Sequence, residues 1–182
     1  MTQPNPETDS IVVEVEIEAP PERVFEALTD PKQLFAWWSK EEPSNELLAF
    51  EMDARPGGRW SFRGRPAPGA NHGEVGEQLE RNGAREFEAH GEILEYVPPR
   101  LLVWTWIANW HEHPEHSTVV RWELAPTRTG TRVRVTHMGL TNEPISRKDY
   151  KGGWQGVLCL LQQFLQKMDS GQRHQYQSSL DS

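Results

Sequence analysis

Tyr150-Lys151-Gly152-Gly153-Trp154-Gln155-Gly156-Val157-Leu158-Cys159-Leu160-Leu161-Gln162-Gln163-Phe164-Leu165-Gln166-Lys167-Met168 is the stretch from which the fold is read. Tyr150, Trp154, Val157, Leu158, Leu161, Phe164, Leu165 and Met168 recur at steps of three and four. They share one face of an amphipathic helix about five turns long. Ser146 followed by Asp149 fits a capping pattern at its start. Asp169-Ser170-Gly171 is expected to end it, leaving a polar tail over 171–182. Glycine inside a helix costs up to about 1 kcal/mol relative to alanine. Gly152, Gly153 and Gly156 therefore imply a close approach to a sheet, a ligand entrance, or a frayed first turn.

Such a stripe needs an apolar surface to cover, and the preceding sequence supplies one. Ile11 to Glu18 alternates, with Val13, Val15 and Ile17 on one face and glutamates on the other, as in a half-buried strand. Pro20-Pro21 then opens a short helix carrying Val24, Phe25 and Leu28. Asp30-Pro31 breaks it, and a second short helix follows to Trp38. Further strands are expected at Leu48–Met52, Arg59–Arg63, Phe87–Val97, Leu101–Ile107, Ser117–Leu124 and Thr131–His137. Gly64 to Arg85 is rich in glycine and poor in apolar residues, and it is expected to be a long, mobile loop. Consecutive strands on short turns predict one antiparallel sheet. The expected fold is α+β helix-grip: a curved seven-stranded antiparallel sheet wrapped on the C-terminal helix, with two short helices after strand 1. Residues 1–10 are expected to be a flexible arm and 11–170 a single domain.

Composition narrows the function. The chain has 182 residues, 36% hydrophobic and 25% charged, enough for one core. Its net charge of −8 argues against nucleic acid as a partner. No apolar run approaches the roughly 18–20 residues of a membrane span. Met1–Ser10 has no lysine, arginine or apolar stretch, so it is not a secretory signal, and a cytoplasmic location is expected. The single Cys159 excludes an intrachain disulfide and is expected to be a small packing residue beside the stripe. No phosphate loop, dinucleotide fingerprint or nucleophile elbow is present, and no cofactor is expected.

Ile17-Glu18-Ala19-Pro20-Pro21-Glu22-Arg23-Val24-Phe25-Glu26-Ala27-Leu28-Thr29-Asp30-Pro31 resembles the opening of the activator of heat-shock-protein-90 ATPase homologue family, within the SRPBCC (START/Bet v 1-like) superfamily. Trp37-Trp38, Gly57-Gly58-Arg59-Trp60-Ser61-Phe62, Gly91 to Leu101, Gly130-Thr131 to Thr136-His137 and Gly152-Gly153-Trp154 follow in the family's order, covering about residues 11–168. The resemblance implies a hydrophobic cavity between sheet and long helix, in which members bind, carry or sometimes transform apolar ligands.

The candidate site follows from strand faces. Trp60, Phe62, Trp104, Trp106 and Trp122 fall on inward faces, opposite Trp154 and Leu158 of the helix. They either fill a core or wall a pocket for a hydrophobic or aromatic molecule. His137 shares the face of Val133 and Val135, and is the one candidate for a catalytic or ligand-orienting group. His111, His113 and His116 are expected to lie in a solvated loop rather than to ligate metal. The expected function is binding of a small hydrophobic molecule by a monomer or a homodimer. The alternatives are a cyclase, dehydratase or hydrolase working through His137, and a chaperone cofactor or other protein-interaction module.

Overall fold

The computed structural model describes residues 9–38 and 45–180, with side chains as far as Gly171. β1 (Ile11–Ile17) is followed by α1 (Pro21–Thr29) and α2 (Pro31–Trp38). Then come β2 (Asn45–Met52), β3 (Arg59–Pro66), α3 (Gly73–Arg81), β4 (Phe87–Val97), β5 (Leu101–Ala108), β6 (Thr118–Pro126), β7 (Thr131–Met138) and α4 (Pro144–Leu180). The seven strands form one sheet in the order β1-β7-β6-β5-β4-β3-β2, and each neighbouring pair is antiparallel. This is the helix-grip fold. Every strand but β1 pairs with its sequence neighbour, and β1 closes the far edge on β7, with Ile11 opposite His137 and Ile17 opposite Thr131.

Period-two alternation sets the faces. Val133, Val135 and His137 of β7 and Val120, Trp122 and Leu124 of β6 are buried. The arginines and glutamates between them form the outer face, where Arg134 pairs with Glu14 at 2.8 Å. α1 buries Val24, Phe25, Ala27 and Leu28, and the Trp37 indole of α2 donates to the Ala27 carbonyl at 2.8 Å. α4 packs along β1, where the Gln162 amide donates to the Glu16 carbonyl at 3.0 Å.

All 8 tryptophans of the chain join one network of ring contacts. Trp37, Trp38, Trp154, Trp106, Trp60, Trp104 and Trp122 follow one another with centroids 4.9–6.3 Å apart, and Trp110 branches from Trp106. At its centre the Trp60 indole crosses Gly91 on β4 to donate to the Thr105 carbonyl of β5 at 3.0 Å. A Cβ on Gly91 would lie 1.9 Å from that carbonyl oxygen and 2.7 Å from the Trp60 nitrogen. The glycine is what admits the bond.

Four expectations are corrected. The 64–85 segment is not one loop: β3 runs on to Pro66 and α3 occupies Gly73–Arg81. Val75 and Leu79, one turn apart, are buried, and the Asn82 amide donates to the carbonyls of Asn109 and His111, both at 2.8 Å. Two apolar residues suffice because they sit at helical spacing. The segment is therefore anchored, and Leu79→Ala is expected to cost about 2 kcal/mol in urea melts. A loss below about 0.5 kcal/mol would show that α3 does not support the body.

The start of α4 also differs. Ser146 lies inside the first turn, and its hydroxyl and the Ile145 N–H both donate to the Glu112 carboxylate from the β5–β6 loop. A residue distant in sequence caps this helix. Nor does Asp169-Ser170-Gly171 stop it. Gly171 lies within the helix, without the positive φ of a helix-ending glycine, and the helix runs on to Leu180. Cys159 is exposed rather than packed. Residues 1–8 of the expected arm and 181–182 of the expected tail lie outside the described residues. Asp9, next to that arm, is tied down: its carbonyl accepts from Leu140 N–H at 2.9 Å and its carboxylate from the Thr141 hydroxyl at 2.7 Å. Among the described residues, no helix is long and apolar enough to cross a membrane.

Candidate functional site

α4 lies along the β1 edge, so the opposite flank of the sheet is covered by α2, α3 and the start of α4. The gap left there is a cavity of about 570 Å³. That volume is in the range of small-molecule sites, which run to about 300–1,000 Å³. Its aromatic walls are Trp38 of α2, Phe62 of β3, Phe87 of β4, Trp106 of β5, Trp110 beyond β5, and Tyr150 and Trp154 of α4. Leu47, Val75, Val157 and Leu160 complete the apolar lining, and Asn45, Asn71, His72 and Asp149 are its polar members. Gly152 and Gly153 border it on α4, and a Cβ on either would meet nothing within 4 Å. These glycines face open space at the cavity and do not press on the sheet.

Of the residues expected to bind a ligand, Phe62, Trp106 and Trp154 line the cavity. Trp60, Trp104, Trp122, His137 and Leu158 do not; they are buried behind the lining, at 3% exposure or less. Trp38, Trp110 and Tyr150 line it without having been expected there. Tyr150 had a sequence signal, as the first residue of the helix stripe. Trp38 is half-buried beside the fully buried Trp37, and its indole meets Phe50, Phe62 and Trp154.

His137 is sealed. Its Nδ1 accepts from the Trp154 indole N–H at 3.1 Å, so the neutral ring must carry its proton on Nε2. Nε2–H then donates to the Thr118 hydroxyl at 2.7 Å, and that hydroxyl donates to the Trp106 carbonyl at 3.0 Å. Each donor has one acceptor, and no ring nitrogen is left over. Burial, with a smaller contribution from His111, holds the ring's pKa well below the usual 6.5. Protonation would set an N–H on Nδ1 against the Trp154 N–H.

His111, expected in a solvated loop, is instead fully buried. Its Nε2 lies 2.7 Å from the Tyr150 hydroxyl, which also accepts from the Trp106 indole at 3.0 Å. Burial lowers the His111 pKa to about 4 and raises that of Tyr150 well above 10. The wall residue Tyr150 is thereby fixed with its oxygen turned to protein partners. Below it, the buried Glu143 carboxylate accepts the N–H groups of Glu112 at 2.7 Å and His113 at 3.3 Å, and meets His116 Nδ1 at 3.1 Å. Burial raises the Glu143 pKa. Glu112, although burial opposes it, is lowered by hydrogen bonds from Glu143, Ile145 and Ser146. These groups brace the β5–β6 loop against α4. They do not line the cavity.

Bacterial proteins are among the solved structures of the same shape. An X-ray structure of a Nitrosomonas europaea protein is 22% identical with a TM-score of 0.64, covering 90% of this chain and 97% of that one. One from Mesorhizobium loti is 25% identical with a TM-score of 0.63, covering 87% and 97%. A solution structure described as an AHSA1-like protein from Aeromonas hydrophila is 19% identical with a TM-score of 0.61, covering 88% and 94%. No curated protein matches the chain. The family described as "Activator of Hsp90 ATPase homolog 1-like protein" matches residues 18–166, and with the sheet, the long helix and the order of motifs in agreement, the chain belongs to that family.

Proposed function

We propose that the protein binds a small hydrophobic molecule in the cavity between β2–β5, α2, α3 and the start of α4. The observation that carries this reading is the cavity itself: about 570 Å³ walled by seven aromatic residues. The family's fold supports the same reading. Binding is favoured over catalysis because His137, the expected acid–base group, has both nitrogens engaged and no place on the lining.

Gly152 and Gly153 add a second line of support. Both are exposed and helical, so Gly152→Ala and Gly153→Ala are each expected to stabilise the protein, by up to about 1 kcal/mol in thermal or urea melts. Destabilisation by either would mean that the space beside them is not open.

The direct test is native mass spectrometry of freshly purified protein, followed by extraction of what is bound and calorimetry with a panel of aromatic and chain molecules. Gly153→Leu, which pushes a side chain into the cavity edge, is expected to weaken binding at least ten-fold while leaving the melting temperature close to that of the wild type. Absence of any bound mass and of any calorimetric signal across the panel would overturn the reading, as would binding indifferent to Gly153→Leu.

A further inference from the structure

We infer that the cavity takes a hydrophobic molecule bearing a hydroxyl group, and that His72, the residue before α3, is its hydrogen-bond partner. This rests on the binding reading above and adds the chemical class. Three features meet at His72, and each is unfavourable for the fold alone. The first is a missing cap. His72 holds the position before α3 where a serine, threonine, aspartate or asparagine would bond a free N–H of the first turn. Its side chain makes no such bond. The second is Gly76, a residue type that weakens helices, inside a helix of nine residues. A Cβ there would lie 2.6 Å from the His72 Cβ, so the glycine is what leaves room for the His72 side chain over the first turn. The third is the imidazole itself. The ring lies against Phe87 with centroids 5.2 Å apart, and its Nε2 is buried without a hydrogen-bond partner among the described residues. A buried nitrogen left unpaired is a cost to the folded state.

A capping residue at 72, an alanine at 76 or an apolar ring in place of the imidazole would each serve α3 better. Local rules broken together at one residue mark a site whose gain lies elsewhere. The place of His72 says where. Buried indole nitrogens of Trp104 and Trp122 also lack a partner, but those residues lie behind the lining, whereas His72 and Phe87 are on it. His72 is half-buried, and the outer torsion of a histidine is broad, so a turn of the ring brings Nε2 to an occupant of the cavity. The nitrogen of a neutral imidazole donates in one tautomer and accepts in the other. A hydroxyl group satisfies either, which a carbonyl or ether oxygen does not. Asp149, also on the lining, already interacts within the protein.

The test compares 2-naphthol with 2-methylnaphthalene, which carries a methyl group in place of the hydroxyl, by equilibrium dialysis against the wild type, His72→Phe and Gly76→Ala. His72→Phe keeps a ring beside Phe87 and removes the nitrogen. It is expected to lower the naphthol-to-methylnaphthalene affinity ratio about three- to ten-fold, the equivalent of one neutral hydrogen bond, with 2-methylnaphthalene held as tightly as by the wild type. Its melting temperature is expected to be no lower than that of the wild type, because carbon has replaced an unpaired nitrogen. Gly76→Ala, which displaces the His72 side chain, is expected to lower the same ratio; a wild-type ratio there would overturn the positioning by Gly76. An unchanged ratio in His72→Phe, whether both ligands bind as before or both weaken, would overturn the role of His72 while leaving the cavity reading intact, as would binding of 2-methylnaphthalene alone to the wild type. Failure of both ligands to bind the wild type would overturn both.

Discussion

Trp60→Ala is expected to lower the free energy of unfolding by about 3–5 kcal/mol, the cost of deleting a large buried aromatic ring. Trp60 is 2% exposed and touches Phe50, Phe62, Trp104 and Trp106, with centroids 4.9–6.3 Å away. The space it would leave is bounded by rigid rings on adjacent strands and by the bare backbone of Gly91, so little can collapse into it. The deletion also removes the donor to the Thr105 carbonyl. Trp60→Phe keeps a ring but loses that bond and some volume, and about 1–2 kcal/mol is expected. The measurement is urea denaturation followed by far-ultraviolet circular dichroism. A loss under 1 kcal/mol for the alanine variant would mean that the ring stack is not a principal support of the sheet.

Acid is expected to destabilise the protein strongly. The His111 and His137 rings are neutral in the folded protein because burial opposes their charge. In the unfolded chain both protonate near pH 6.5. Below that pH the unfolded state takes up protons that the folded state refuses, and stability falls as pH falls. For His111 the loss is complete near pH 4; from 6.5 to about 4, at about 1.4 kcal/mol per pH unit, it amounts to about 3.5 kcal/mol. His137 adds to it in the same direction. The carboxyl groups of Glu112 and Glu143 are displaced in opposite directions. Urea melts at pH 7.5, 6.0 and 5.0 should show a steady fall in midpoint with an unchanged slope. A flat profile from pH 7 to 5 would refute the buried neutral histidines.

Local pattern carried much of the fold. The stripe from Tyr150 to Leu165 and the alternation of Val13, Val15 and Ile17 are periodicities that backbone geometry turns directly into faces, although Met168, expected to extend the stripe, is exposed. α3 was hidden because Val75 and Leu79 are its only two buried residues, set among glycines that mark loops. The cap of α4 was hidden because Glu112 and Ile145 are 33 positions apart. The site was legible by halves. Alternation shows which residues point inward, but not whether an inward residue meets packed protein or empty space. That depends on where α4 leaves the sheet, so Trp60 and Trp104 became core while Phe62 and Trp106, on the same strands, became wall. His137 was placed inward correctly. Its closure by Thr118 and Trp154 joins three elements and has no counterpart in any single segment.

The continuity of the tryptophan network has an optical consequence. Rings this close share excitation, so a photon absorbed by buried Trp104 or Trp122 can migrate through Trp60 to Trp106 and Trp154 at the cavity wall. The network is an antenna whose outlets are the residues a ligand would touch. A quencher seated against Trp38, Trp106, Trp110 or Trp154 would drain emission from indoles it never contacts. Coupled indole transitions would also imprint the far-ultraviolet dichroism with bands that belong to no helix or strand. A quencher placed in the cavity would thus be reported by the whole chain of rings.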